Sequence, residues 1–202
     1  EILYPEICTL YGDKGNTMYL QKCLPDAEFV TTGLNEKPLF LKENIDMVYM
    51  CSMSEKSQEL VLDRLMQYKD EIAACMKDGK ALFLLVGNSM ELLGDYIKRE
   101  DGTRVTGLGV VPGMYSVRQT PNRFNTLIKA KFNDMTLIGY TSRFAHTYGI
   151  PDDMTFCKVE IGQGSNPDTM NEGICKNRVI ATYIHGPLLI QNPDFVHYLL
   201  EK

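Results

Sequence analysis

Apolar positions run without a break from Ala81 to Val86, the length of one strand buried on both faces. The run meets a polar corner, Gly87-Asn88-Ser89. Apolar positions are then stepped through Met90 to Ile97, which predicts strand, elbow and helix in that order. The spacing of Asn88 and Glu91 fits a helix N-cap with a returning Glu three residues on, so Asn88, Ser89 and Glu91 are expected in capping and turn roles.

The same reading extends to the rest of the chain. Ile7 to Tyr11 reads as a first strand, Gly12 to Gly15 as a turn, and Asn16 as the cap of a short helix carrying Met18, Tyr19, Leu20 and Cys23. Ala27 to Thr31 and Ile45 to Met50 read as the second and third strands. Glu55 to Lys77 has a helical period with Gly79 as its stop. Alternating strands and helices imply parallel strands joined by right-handed crossovers. Beyond Glu100 the texture changes to short β-like runs: Gly107 to Pro112, Thr126 to Phe132, Asp134 to Tyr140, Phe156 to Ile161 and Arg178 to Ile184. These would extend the sheet with antiparallel strands. Gly162 to Gly173 reads as a loop, and Asn192-Pro193-Asp194 opens a last helix with Pro in its first turn.

Composition narrows the function classes. With 202 residues, 44% hydrophobic and 23% charged, the chain can bury one substantial core, and residues 1–202 are expected to form a single domain. A net charge of -5 with scattered cations argues against nucleic acid as a partner. No apolar run approaches the ~18 residues of a membrane span. The six cysteines form no CxxC pair, so neither a zinc knuckle nor a disulfide framework is indicated, and small buried hydrophobes in a reducing cytoplasm are expected. His146 and His197 lack metal-ligand spacing, and no cofactor or metal is expected.

An elbow at the carboxyl end of a central strand is where open parallel sheets place ligands and where nucleophiles are exposed beside backbone donors. Which residue of the corner Gly87-Asn88-Ser89 occupies the apex is not given by the pattern itself. Gly12-Asp13-Lys14-Gly15-Asn16 follows a strand-like run but lacks both phosphate-loop patterns, so a plain turn is favoured over a phosphate cradle.

The landmarks LYGDKGN (Leu10 to Asn16), ELLG (Glu91 to Gly94), GLG (Gly107 to Gly109), GQGSNPDTMNEG (Gly162 to Gly173) and TYIHGPLLIQNP (Thr182 to Pro193) occur in order. Together they resemble the class I glutamine amidotransferase domains of the cobyric acid synthase type. The likeness is closest to the small glutaminase subunit that supplies ammonia to a Mur-ligase-like partner when lipid II is amidated. The resemblance implies an α/β, flavodoxin-like three-layer sandwich with a mostly parallel central sheet. It also implies a Cys nucleophile at the elbow, a proton-transferring His and backbone donors for the oxyanion.

By position His185 matches the family's catalytic His, and Asp13 and Asn16 match residues on the same edge. Gly87 stands where relatives carry Cys, and Cys51-Ser52-Met53 stands where relatives carry a Gly triplet. Thr141-Ser142-Arg143 replaces a Glu-Asn-His-like run. The expected state is a degenerate amidotransferase with a pocket edge at Gly87, Asn88, Ser52, Met53, Asp13 and Asn16, binding a small amide or amino acid or docking a Mur-ligase-like or cobyric acid synthase-like ATP-dependent ligase. The alternatives are an active subunit that uses Cys51 as a substitute nucleophile, and a purely structural or regulatory subunit. Without a thiol partner, His185 is either a satisfied structural residue or a ligand for something small.

Overall fold

The computed structural model describes residues 1–201. Its strands are β1 (Ile2–Leu3), β2 (Thr31–Thr32), β3 (Met47–Met50), β4 (Leu82–Val86), β5 (Tyr96–Lys98), β6 (Arg104–Thr106) and β7 (Tyr115–Arg118), followed by β8 (Phe124–Phe132), β9 (Met135–Arg143), β10 (Ala145–Tyr148), β11 (Thr155–Ile161), β12 (Asn171–Lys176) and β13 (Val179–Thr182). The α-helices are α1 (Lys14–Cys23), α2 (Glu55–Leu65), α3 (Lys69–Asp78), α4 (Leu188–Gln191) and α5 (Pro193–Leu200).

Nine strands form one sheet in the order β2-β1-β3-β4-β13-β12-β11-β8-β9. The β2 to β13 portion is parallel, and from β12 outward the pairing is antiparallel. A second sheet, β10-β7-β5-β6, stands apart. This is the α/β, flavodoxin-like arrangement expected.

The most buried strand is the one with the unbroken apolar run. Leu82 to Val86 are all buried: β4 runs centrally between β3 and β13, and the side chains on both of its faces lie within the hydrophobic core. The expected helix from Glu55 to Lys77 is present but broken: α2 and α3 are separated by a tighter turn at Met66–Tyr68. Ser54 caps α2 by accepting the Ser57 N–H at 3.1 Å, and Gly79 closes α3 in the left-handed conformation.

Several local expectations are corrected. Ile7 to Tyr11 is not a strand: Tyr4 has φ 54°, Ile7 and Cys8 donate to its carbonyl, and Leu10–Gly12 forms a 3-10 turn. The first strand lies earlier, at Ile2–Leu3. Asn16 does not cap α1. It lies buried within the helix, donating to the Tyr49 hydroxyl at 2.9 Å and accepting the Leu189 N–H at 2.8 Å.

Met90 to Ile97 is not an α-helix either. Gly87–Leu93 is a 3-10 segment, and Tyr96 to Lys98 becomes β5. The reason is tertiary. Met90, Leu92 and Leu93 are buried, and the Gly107 to Val111 segment donates to the carbonyls of Leu92, Leu93, Gly94 and Asp95 instead of forming a strand. Those external donors replace the next helical turn.

Candidate functional site

Three adjacent parallel strands deliver the site. Met50 at the end of β3 pairs with Leu85 of β4, and Thr182 at the end of β13 pairs with Val86. The chain leaving each carboxyl end therefore carries Ser52, Gly87 and His185 to one edge of the sheet, the usual ligand position in open α/β sheets. Asp13 reaches the same point from the start of α1.

Gly87 has φ 71°, the sharp turn expected at an elbow apex. No room is left for a side chain there. A Cβ at Gly87 would overlap Ser52 Oγ, and it would lie 2.8 Å from His185 Cε1 and 2.9 Å from Ser52 Cβ. The volume that a nucleophile's side chain would need is thus filled by Ser52 and the His185 ring.

Ser52 Oγ lies 3.0 Å from Asp13 Oδ2 and 3.0 Å from His185 Nδ1. His185 Nε2 accepts the backbone N–H of Ser142 at 3.2 Å. An N–H donor at Nε2 puts the neutral imidazole's proton on Nδ1, an assignment that follows from the hydrogen-bond network. Nδ1–H then donates to Ser52 Oγ, and Ser52 donates to Asp13. In this tautomer His185 has no lone pair facing Ser52 and cannot act as its base.

Asp13, Ser52 and His185 are each no more than 1% exposed. Two tyrosines pack on the His185 ring. The Tyr11 ring lies 4.7 Å from the His185 ring and the Tyr140 ring 5.5 Å from it, while the Tyr140 hydroxyl donates to the Tyr11 carbonyl at 3.4 Å. Neither tyrosine has a periodic signal in the sequence, and the two come together across 129 positions.

Cys51 is directed elsewhere. Its Sγ donates to the Cys8 carbonyl at 2.6 Å, and burial, reinforced by the Asp13 carboxylate, pushes the thiol far above its ordinary range. The thiolate that nucleophilic attack requires is thereby suppressed.

Asn88 clamps the neighbouring loop rather than capping a helix. It accepts the Met53 N–H at 3.0 Å and donates to the Met53 carbonyl at 2.8 Å. A backbone donor that could have turned toward an oxyanion is therefore already used. Removing the clamp by Asn88→Ala is expected to cost about 2 kcal/mol in urea unfolding, because both Met53 groups lose their partner. A change below about 0.5 kcal/mol would mean the clamp carries no weight.

Ser89 Oγ donates to the Val86 carbonyl at 2.8 Å and Met50 at 3.2 Å, tying β4 to β3. Glu91 accepts from Gln58 Nε2 at 2.9 Å and from the Tyr183 hydroxyl at 2.9 Å, and burial raises its carboxyl to about 7. Ser89 keeps the expected turn role through its bond to Val86, while the expected capping by Asn88 and Glu91 gives way to tertiary bonds.

Of the altered run Thr141-Ser142-Arg143, Ser142 supplies the N–H that fixes His185. Arg143 is buried with its guanidinium 4.2 Å from the Tyr183 ring and Nη2 donating to the Gly164 carbonyl at 2.6 Å. Among the described residues no group of three metal-ligating side chains gathers, and no helix is long and apolar enough to cross a membrane.

A family model described as the CobB/CobQ-like glutamine amidotransferase domain matches residues 2–193. The chain belongs to this family. The lipid II isoglutaminyl synthase (glutamine-hydrolyzing) subunit GatD of Streptococcus pneumoniae is 27% identical over 202 residues, covering 98% of this chain and 77% of that protein. The subunit of the same name from Staphylococcus aureus is 27% identical over 195 residues, covering 96% and 79%. Two solved structures share the fold of this amidotransferase-like chain. One is a glutamine amidotransferase (TM-score 0.64, 14% identity, 99% of this chain and 97% of that chain). The other is PurLQS from Thermotoga maritima (TM-score 0.67, 13% identity, 99% and 96%).

Proposed function

We propose that the chain is an amidotransferase-like subunit that has lost glutaminase activity and docks an ATP-dependent amide ligase of the Mur-ligase-like or cobyric acid synthase-like kind. The observation that carries this reading is the filled apex: Gly87 offers no nucleophile, and Ser52 and His185 occupy the space one would take. The Met53 N–H held by Asn88 and the Tyr11 and Tyr140 rings packed on His185 support it, since one backbone donor of the neighbouring loop is already used and the imidazole is covered by aromatic rings. The names of the relatives favour a subunit role in lipid II amidation over a cobalamin precursor.

Purified chain incubated with L-glutamine, alone and with a purified candidate ligase, is expected to release no ammonia above the protein-free control. Ammonia release that disappears in Cys51→Ala would overturn the reading and establish Cys51 as the nucleophile.

A further inference from the structure

The exposed face shared by β8, β9 and β11 has a composition at odds with the rest of the molecule. On β8, Leu127, Lys129 and Lys131 alternate outward with Ile128, Ala130 and Phe132, which are buried. The register places Ile138 of β9 and Ile161 of β11 on either side of Lys129, and Lys158 of β11 and Thr136 of β9 on either side of Lys131. Leu127, Ile138 and Ile161 are 75%, 47% and 59% exposed, so three large apolar side chains surround the Lys129 stem in open solvent.

The charge on this face runs against the net -5 of the chain. Lys129 pairs with Glu160 at 2.9 Å, a carboxylate that Lys131 also feels, and Lys131 donates to Thr136 Oγ1 at 2.7 Å; two cations, Lys131 and Lys158, still stand directly opposite one another with one carboxylate among three lysines. Like charges in opposed positions on a sheet face weaken the sheet unless something outside neutralises them. Pairing this face with the same face of a second copy would set lysines against lysines. An anionic bilayer would suit the lysines, yet the aromatic residue that the register places beside the patch, Tyr140 opposite Leu127, packs against Tyr11 and His185 instead of standing free for an interface.

From this juxtaposition we infer that the β8-β9-β11 face is a protein-docking surface whose partner presents carboxylates around an apolar centre. It rests on the ligase-docking reading in taking the ATP-dependent ligase as that partner. The apolar trio supplies the desolvated centre, and the two opposed lysines supply a charged rim that sets orientation and association rate.

The test uses the full chain and a purified Mur-ligase-like amide ligase, with affinity measured by calorimetry. The double variant Lys131→Glu, Lys158→Glu and the single variant Leu127→Asp are each expected to bind at least about tenfold more weakly at an unchanged melting temperature. Wild-type affinity is expected to fall as salt rises, and that salt dependence to shrink in the lysine variant. If both variants bind like wild type, the surface assignment falls while ligase docking stands. If wild type binds no ligase, both fall. Binding to phosphatidylglycerol vesicles lost in the variants while ligase binding persists would make the face a membrane surface. A concentration-dependent dimer abolished by Leu127→Asp, with ligase binding intact, would make it a contact between copies. Either result overturns the inference.

Discussion

Gly87→Cys lowers stability by roughly 3 kcal/mol and leaves glutamine hydrolysis undetectable. Two costs combine. A residue with a Cβ at φ 71° occupies a sparsely populated region, worth about 1–3 kcal/mol. Its side chain also falls within the space of Ser52 and His185, and overpacking of a filled interior costs about 1–3 kcal/mol more. Ser52→Gly in the same chain removes the Ser52 part of the collision and leaves only the close approach to His185 Cε1 at 2.8 Å, so the double variant is expected to be more stable than the sum of the singles predicts by about 1 kcal/mol or more. It does not return to wild type, because Ser52 also bonds the buried Asp13 carboxylate and His185, and those groups lose a partner. Urea unfolding of wild type, both singles and the double closes the cycle. Strict additivity would mean that Ser52 does not fill the apex. Ammonia release by Gly87→Cys alone would mean that the site is a working glutaminase short of one atom group. The expected lack of rescue follows from the rest of the site. The Met53 N–H is held by Asn88, and His185 carries its proton on the nitrogen that faces Ser52.

The sequence made the central sheet legible where burial alone decides the pattern. The unbroken run at Leu82 to Val86 has the length of a strand covered on both faces, and the polar corner that follows it fits an elbow. The spacing around Leu62, Leu65, Ile72 and Met76 likewise marked the helical region, and Asn192-Pro193 marked the start of α5. Misreadings fell where tertiary partners replace local ones. Ile7 to Tyr11 alternates like a strand, yet a left-handed Tyr4 turns the chain away from the sheet edge. Met90 to Leu93 is buried on every side, Glu91 included, so no exposed face told a helix from a tightly buried 3-10 turn.

The candidate site was legible as a set of positions and not as a geometry. Cys51, Ser52 and Met53 were all visible as the segment beyond β3, but the orientation of a strand end is not written in a three-residue stretch. The backbone there sends Cys51 to the Cys8 carbonyl and Ser52 to His185 and Asp13. The packing of Tyr11 and Tyr140 on the His185 ring, and the Ser142 N–H that fixes the His185 tautomer, depend on chain segments that meet only in three dimensions. Asp13 and Asn16 carried no catalytic pattern of their own. The structure places Asp13 in the hydrogen-bonded chain with Ser52 and uses Asn16 to fasten α1 to β3 and to the start of α4.

Between about pH 4.5 and pH 7 the protein is expected to lose stability as pH rises, and Glu91→Gln to abolish most of that loss. Glu91 is completely enclosed behind the elbow, and burial raises its carboxyl from the ordinary 4.5 to about 7 despite donors from Gln58 and Tyr183 and the nearby Arg118. Glu55 adds a push in the same direction as burial. The sign follows from the shift. An acid whose folded value lies above its unfolded value favours the folded state while protonated, so the contribution is full below pH 4.5 and is lost as pH rises through about 7. A shift of this size corresponds to a contribution of order 3 kcal/mol. Glu172, also buried and raised, adds a slope of the same sign that persists in the variant. His146, whose imidazole is lowered by burial and by Arg143, contributes a slope of the opposite sign in both proteins. The difference between wild type and Glu91→Gln therefore isolates Glu91. Gln at this position keeps a hydrogen bond to Tyr183, whose hydroxyl can accept from the amide while donating to Thr147 Oγ1 at 2.6 Å. Urea unfolding at pH 5 and pH 8 should show wild type losing about 2–3 kcal/mol more than the variant over that interval. Parallel pH profiles for the two proteins would mean that Glu91 is already ionised in the fold at pH 5, with Gln58 and Tyr183 holding the charge against burial.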